Sequence, residues 1–341
     1  MKRVRYRIEC FFVRLFGRII RFLPFSVVQK IGDIAGALVF WADSRGRAVA
    51  LANLTAVFGS ELDDRQRRRI ATQSLQIFGK NFLQLFWTTR LTRDNVGKYI
   101  SFEDPAKFRE VIEHDGPIIA ITPHFGNVEL VGSFLGFEGL PFTIISAPFK
   151  NELLTPIFRK LREAPGHKIV VPDNATARLL QALRRGESVF LFSDLTLKLR
   201  DAAVVIDGFG LKMRVTQLHA FLHLRTGAPI VPWVTLPRPD GGYMVRLLPW
   251  LQFPAGSSYQ EITQACWNRF EPIIREYPDY WLWVYKHWRY KPTVSTRTYP
   301  FYANSSTQFD LEVESQEHPE RADSLAEQIR DHARWHRDRQ Q

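Results

Sequence analysis

The sequence predicts an α/β fold, a layered sheet with flanking helices, preceded by N-terminal membrane-associated helices. Three observations carry that prediction. From about residue 116 onward, short β-rich runs alternate with helical stretches, the pattern of strands layered with helices. Before that point the chain reads as helix. Hydrophobic residues make up 45% of the 341 and charged residues 24%, an ordinary globular mixture long enough for one large core or for two domains.

The first helix is marked by charge. The chain carries a net charge of +11, which favours an anionic partner such as nucleic acid or an anionic membrane surface. Much of the excess lies in Lys2, Arg3, Arg5, Arg7, Arg14, Arg18 and Arg21, opposed locally by Glu9. At about 100° per residue, Arg3, Arg7, Arg14, Arg18 and Arg21 fall in one stripe roughly 60° wide. Phe12, Phe16, Ile19, Ile20 and Leu23 fall on the other side, and Pro24 ends the helix. This is a basic amphipathic helix of the kind that lies in a lipid headgroup layer. The plainer alternative is a core helix with a solvated basic face. Arginines at 14, 18 and 21 interrupt any signal-peptide core, and Asp33 and Asp43 bracket the apolar stretch 34–42. With no uncharged run of about 18 residues, the chain is expected to sit on a membrane rather than cross it. Residues 1–45 are therefore assigned to amphipathic membrane-anchoring helices.

The body is assigned to residues 46–300. Residues 46–91 read as helix, with the acidic pair Asp63-Asp64 leading into Arg65-Gln66-Arg67-Arg68-Arg69-Ile70. Strands are expected at 117–122, 142–146, 168–171, 188–192, 203–206, 229–235 and 243–248. Helices are expected at 128–135, 153–163, 176–185, 216–225 and 259–277. The tail, 301–341, opens with the polar linker Asn304-Ser305-Ser306-Thr307 and then turns charge-rich and apolar-poor. It is expected to be disordered or loosely helical, with no assigned function. Cys10 and Cys266 are too far apart in sequence to form a metal or redox motif, as a reducing compartment would allow. Aromatic content of 13% fits either a large core or apolar surface meant for lipid.

Chemistry concentrates at Thr122-Pro123-His124-Phe125-Gly126-Asn127-Val128-Glu129. His124 follows a buried strand, Gly126 relaxes the turn, Asn127 suits a helix N-cap, and Glu129 falls in the first turn of the next helix. With His124 in the loop, the two side chains can meet, where α/β folds place their sites. A neutral imidazole can take a proton from an alcohol, and a carboxylate on its other nitrogen fixes the tautomer. No Ser or Cys accompanies the pair locally, which favours direct attack by a substrate hydroxyl. Taken alone, a strand-end histidine and a helix-start glutamate are also ordinary structural residues. No third ligand supports a metal site, and no recognition motif supports nucleic acid.

The block His124-Phe125-Gly126-Asn127-Val128-Glu129-Leu130 resembles the H-x4-D/E motif of the lysophospholipid acyltransferase superfamily, and more closely the bacterial lipid A biosynthesis (lauroyl/myristoyl) acyltransferases. Further blocks follow in the same order. They are Ala52-Asn53-Leu54 with Phe58, Asn151-Glu152-Leu153-Leu154 with Leu161-Arg162 and Gly166, Phe192-Ser193-Asp194, and Gly208-Phe209-Gly210. Thr226 to Pro232 and Tyr280-Trp281-Leu282-Trp283 with His287-Trp288-Arg289 complete the series. The resemblance covers about residues 48–292. It implies a glycerolipid acyltransferase-like layered fold and a cytoplasmic-face position on the bacterial inner membrane, peripheral or N-terminally anchored. It also implies transfer of a fatty acyl chain from acyl carrier protein or coenzyme A to a glycolipid hydroxyl, with no cofactor beyond that thioester. His124 and Glu129 match the family's base and its partner, and Arg162 and Asp194 match two more of its residues. Arg162 would grip a phosphate or else pair with a helix neighbour, and Asp194 would hold Arg162 or a substrate hydroxyl or else cap a turn. Asn127 and Lys150 are taken as further substrate contacts, though a lone lysine is often simply solvated. Trp281, Trp283 and Trp288 would line an acyl slot, face the membrane, or fill the core.

The chain departs from the family's pattern at Val128, where Trp is common, at Ala147-Pro148-Phe149-Lys150, where arginines are common, and at Leu195, where Gln often follows the aspartate. These changes bear on the acceptor, which is expected to be a lipid A precursor. A phosphatidylinositol mannoside or ornithine-type lipid is the sibling alternative. A non-enzymatic peripheral membrane protein with a vestigial site is the alternative of another class.

Overall fold

The computed structural model describes residues 2–318. Four helices come first: α1 (Lys2–Phe22), α2 (Phe25–Ala42), α3 (Ser44–Phe58) and α4 (Asp64–Trp87). Asp63 and Gln66 cap α4 reciprocally, which explains why the arginine-rich run starts as helix there. Helix α2 is long and apolar enough to cross a membrane. In the folded chain, however, it lies along α4, brought close by glycines. A Cβ on Gly36 would stand 2.3 Å from the Gln76 Cα, and one on Gly79 would stand 2.5 Å from the Gly32 carbonyl. Its other side exposes Ile34, Leu38 and Trp41.

Helix α1 packs on the same α4. Ile20 is buried, and Phe16 meets Phe86 edge-on. Val4, Ile8, Phe11, Phe12, Leu15, Ile19 and Phe22 remain exposed along α1. The apolar side expected from the sequence is thus divided, with Ile20 turned to the body and Phe12 and Ile19 to the outside.

The body is a seven-stranded sheet crossed by helices. In chain order its elements are β1 (Ile100–Phe102), α5 (Pro105–Ile112), β2 (Ile119–Thr122), α6 (Val128–Phe137), β3 (Thr143–Ile145), α7 (Thr155–Glu163), β4 (Lys168–Val170), α8 (Ala175–Arg184) and β5 (Val189–Phe192). A hairpin of β6 (Ala203–Gly208) and β7 (Leu211–Thr216) stands apart from the sheet, followed by α9 (Leu218–Thr226), β8 (Ile230–Pro237), β9 (Tyr243–Leu247) and α10 (Tyr259–Glu276). The strand order is β1-β9-β8-β2-β5-β3-β4, parallel throughout except for the β8–β9 pair.

Strand β2 is central and buried on both faces, which is why its sequence is a continuous apolar run rather than an alternation. Ile119 and Ile121 join one core cluster with α3, α8, α9 and α10, while Ile118 and Ala120 join the other with α6 and the second half of α4. The expected strands and the α/β class are all present. The three-residue β1, the six-residue β7 and the helix α5 had no counterpart among the expected elements.

Part of the tail is helical, one of the two expected forms, but that helix is seated rather than loose. Two-residue strands β10 (Tyr290–Lys291) and β11 (Asn304–Ser305) pair in parallel, and α11 (Thr307–Glu317) packs back on the body with Phe309 fully buried. The buried Phe309 ring gives an otherwise polar helix its apolar anchor, alongside ion pairs to the body. The rest of the expected tail, 319–341, lies outside the described residues.

Candidate active site

The site forms where β2 and β5 end side by side. Their register pairs Thr122 with Phe192, so the residues two further on, His124 and Asp194, leave the sheet together. The His124 Nδ1 lies 2.8 Å from Asp194 Oδ1, and the His124 backbone N–H donates to Asp194 Oδ2 at 2.9 Å. The Trp281 indole N–H donates to the same Oδ2 at 2.9 Å. Three donors therefore hold a carboxylate that is 0% exposed. Burial alone would raise the Asp194 pKa, but the charge and hydrogen bonds of His124, with help from His287, bring it down to about 2. An ionised Asp194 requires its imidazole partner to carry the proton on Nδ1, which leaves Nε2 as the free nitrogen. The ring is stacked on Phe192, with centroids 3.8 Å apart, so its orientation is fixed by packing as well.

The loop carrying His124 is strapped in place. Gly126 has φ 65°, and a Cβ there would lie 2.4 Å from the Thr235 carbonyl, so both conformation and space require glycine. The Gly126 N–H donates to Tyr280 O at 2.8 Å, the Leu282 N–H donates to His124 O at 3.1 Å, and Asn81 Nδ2 donates to Gly126 O at 2.7 Å. His287 stacks on Trp281 and donates from Nε2 to Leu282 O, and burial lowers its pKa to about 4, so it stays neutral.

Glu129 stands in the first turn of α6, as expected, but it does not bond His124. Arg162 on α7 takes it instead. The Arg162 Nε donates to both Glu129 oxygens at 3.1 Å, its Nη2 bonds Oε1, and its Nη1 donates to Ser146 Oγ at 2.9 Å. Burial would lower the Arg162 pKa, and the charge and hydrogen bond of Glu129 raise it instead. The expected His124–Glu129 contact is thus replaced by two pairs, His124–Asp194 and Arg162–Glu129. The physical reason is sheet register: β5 delivers Asp194 to Nδ1 directly, while the α6 helix turns Glu129 toward α7.

His124 of the first pair and both members of the second line one cavity of about 490 Å³, within the range of about 300–1,000 Å³ usual for small-ligand sites. His124, Glu129, Ser146 and Arg162 supply polar atoms to its lining. Val128, Leu135, Phe142, Ile144, Phe190, Phe192, Leu195, Leu85 and Trp233 make most of the remaining wall apolar. His167, which no sequence motif singled out, also lines it. Its Nδ1 accepts from the Phe142 N–H at 3.0 Å and its Nε2 donates to Gly132 O at 2.7 Å, while burial lowers its pKa. It is a neutral, fully bonded wall residue.

Two expectations need correction, and a third, left open among three readings, is resolved. Asn127 is fully buried, its Oδ1 capping the Leu130 N–H at 3.0 Å and its Nδ2 bonded to Gln84, so it shapes the turn and cannot reach a substrate. Lys150 is exposed and lies outside the cavity lining. Trp281, Trp283 and Trp288 are each 0% exposed and line neither the cavity nor the surface; they are core, with Trp281 also serving Asp194.

The pattern of the bacterial lipid A biosynthesis acyltransferases matches residues 1–290 of this chain. The chain belongs to that family. Its similarity to individual relatives is moderate. It is 23% identical over 279 residues to the lipid A biosynthesis lauroyltransferase of Escherichia coli K12, covering 79% of this chain and 88% of that one. It is 25% identical over 279 residues to the phosphatidylinositol mannoside acyltransferase of Mycolicibacterium smegmatis, covering 80% and 88%. A lipid A biosynthesis acyltransferase of Haemophilus influenzae is 19% identical over 267 residues, covering 78% and 83%. Membership makes this protein an acyltransferase of the lipid A biosynthesis type, acting between an acyl thioester donor and a glycolipid acceptor. The vestigial, non-enzymatic reading is set aside.

Proposed function

We propose that the protein moves a fatty acyl chain from acyl carrier protein or coenzyme A to a hydroxyl of a lipid A precursor, with His124 as general base. One observation carries the mechanism: His124 sits at an apolar cavity with Nδ1 committed to a buried, ionised Asp194. Nε2 takes the acceptor's hydroxyl proton as the oxygen attacks the thioester carbonyl. Collapse of the tetrahedral intermediate breaks the C–S bond, and the imidazolium returns the proton to the departing thiolate. The imidazolium that forms in between is stabilised by Asp194.

The acyl chain occupies the cavity's apolar wall, and Arg162 with Glu129 lies beside the reacting end. Val128 and Glu129, at the N-terminus of α6, line the cavity, so the positive end of that helix dipole favours developing negative charge there. A covalent thiol route has no support, since both cysteines are buried and burial pushes the Cys266 thiol well up. Lipid reaches the site from the cytoplasmic face of the inner membrane, against which the exposed apolar side of α1 and the Ile34, Leu38 and Trp41 side of α2 would rest. The exposed Phe82 and Leu153, next to α1, extend that face over the body.

A second acceptor is favoured by one finding. The phosphatidylinositol mannoside relative covers as much of the chain, at 25% identity, as the lauroyltransferase does at 23%. Mass spectrometry of total lipids from a strain lacking this protein, with and without restored wild-type or His124→Ala protein, tests both. Loss of one acyl chain from lipid A, restored by wild type alone, is expected. The same loss confined to a mannoside lipid would select the second reading, and an unchanged lipid profile would contradict both.

A further inference from the structure

Helix α11 lies past the 290 residues that match the family, and the chemistry above makes no use of it. It is nevertheless joined to the cavity wall through one buried side chain. Arg214 on β7 is 3% exposed. Its Nε donates to Glu312 Oε2 at 2.6 Å and its Nη2 to Glu312 Oε1 at 3.2 Å. Its Nη1 also donates to the carbonyls of Leu197 at 3.3 Å and Lys198 at 2.7 Å, and its Nη2 to those of Leu199 at 3.2 Å and Asp201 at 2.8 Å. One guanidinium thus gathers the whole segment between Asp194 and β6. Gln308 of α11 adds a bond from Nε2 to Leu199 O at 3.0 Å.

That segment starts at the active site. Leu195 directly follows Asp194 and lines the cavity, and its carbonyl accepts from the N–H of Thr216, another lining residue, at 3.0 Å. Helix α11 is itself firmly seated. Phe309 is fully buried, Lys212 pairs with Glu317 at 2.9 Å, and the Thr293 N–H donates to Asp310 at 2.8 Å. With its amide nitrogen toward the strand carbonyl, Gln316 bonds both backbone groups of Val205 at 2.6 and 2.8 Å, much as a neighbouring strand would.

A buried guanidinium stripped of its carboxylate is an uncompensated charge, and it regains solvation by opening the groups around it. Here those groups are the carbonyls of the 195–201 segment. We propose that Glu312 of α11 is a positioning residue: by neutralising Arg214 it latches the 195–201 segment, and so sets Leu195 and Thr216 as the wall that selects the acyl chain. The latch rests on the acyl reading of the cavity for its functional half and on contacts alone for its structural half.

The test uses full-length wild type, Glu312→Ala, Glu312→Gln, Arg214→Met and the Glu312→Ala/Arg214→Met double variant. Two readouts are needed: hydrogen exchange over 195–201, and turnover of lauroyl, myristoyl and palmitoyl thioesters, on acyl carrier protein and on coenzyme A, with vesicles of bacterial total lipid. In Glu312→Ala, exchange over 195–201 is expected to rise about tenfold with little change elsewhere, and the preference among the three chain lengths to flatten. Glu312→Gln, which keeps an acceptor oxygen, should fall between, and Glu312→Ala should add nothing once Arg214 is Met. Should Glu312→Ala not fold, Glu312→Gln is read the same way. Unchanged exchange over 195–201 overturns the latch. Raised exchange with an unchanged chain-length preference overturns its control of the cavity. A wild type that turns over no acyl thioester defeats the functional reading, while exchange still decides whether α11 holds the segment.

Discussion

The two polar pairs at the cavity, His124–Asp194 and Arg162–Glu129, are built in different ways. Asp194 is wholly buried at the end of a central strand and is held by three donors from the His124 loop and Trp281. Glu129 and Arg162 belong to two helices, α6 and α7, and their side chains keep 19% and 26% exposure. A carboxylate on the rigid sheet can hold an imidazole in one tautomer through a reaction cycle. A pair bridging two helices near solvent can part to admit a charged or hydroxylated substrate and then close. Under the proposed function, the proton chemistry falls to the first pair and substrate handling to the second.

The largest effect that would break this comparison is expected at His124. His124→Ala should cut acyl transfer by about 10³- to 10⁴-fold, the upper part of the usual worth of a positioned base, while the protein remains folded. Asp194→Asn should follow, with a loss of about 10²- to 10⁴-fold, because an amide at this place favours the wrong tautomer. Glu129→Gln should cost less, about 10- to 100-fold, and mainly through positioning of the substrate. Steady-state rates with one acyl thioester rank the three. Equal losses for Asp194→Asn and Glu129→Gln would erase the distinction between the pairs.

The pH dependence of stability sharpens the same contrast. His287 and His219 are both buried with pKa values lowered to about 4, against about 6.5 unfolded. The unfolded chain therefore binds more protons between those values, and stability should fall as pH drops from about 6.5 towards 4. Asp194, lowered to about 2, adds stability that is present above about 3.9 and lost below it, as pH falls towards 2. Calorimetry from about pH 7 to 4.5 should show a shallower decline for His287→Gln than for wild type. The smallest expected effect lies farthest from the site. Replacing Arg14, Arg18 and Arg21 with Glu should weaken sedimentation with anionic vesicles, most at low salt, and leave turnover of a soluble thioester unaffected.

The contrast also marks where sequence reasoning works. Strand β2 was legible because a strand buried on both faces has to be a continuous apolar run. The turn after it was legible because His124, Gly126, Asn127 and Glu129 each suit one position of a strand-to-helix turn. The partner of His124 was not legible. Asp194 lies 70 residues away, and only the Thr122–Phe192 register of two neighbouring strands brings it to Nδ1. Proximity in sequence favoured Glu129, and tertiary placement gave Glu129 to Arg162.

The seating of the tail helix was not legible for a related reason. Its polar composition hides one buried ring, Phe309, and one carboxylate, Glu312, whose partner Arg214 sits 98 residues earlier. Strand β1 was missed because three residues are too few to show a period, whereas β7, Leu211–Thr216, alternates apolar and polar residues but lies between a turn and an expected helix start and was passed over.

The central claim is that Asp194, and not Glu129, orients His124. It is tested most directly by the His124 Nδ1 proton in ¹⁵N-imidazole-labelled protein, assigned by its disappearance in His124→Ala. The account predicts that this hydrogen-bonded resonance survives in Glu129→Gln and is lost or moved strongly upfield in Asp194→Asn. Loss in Glu129→Gln with retention in Asp194→Asn would contradict it.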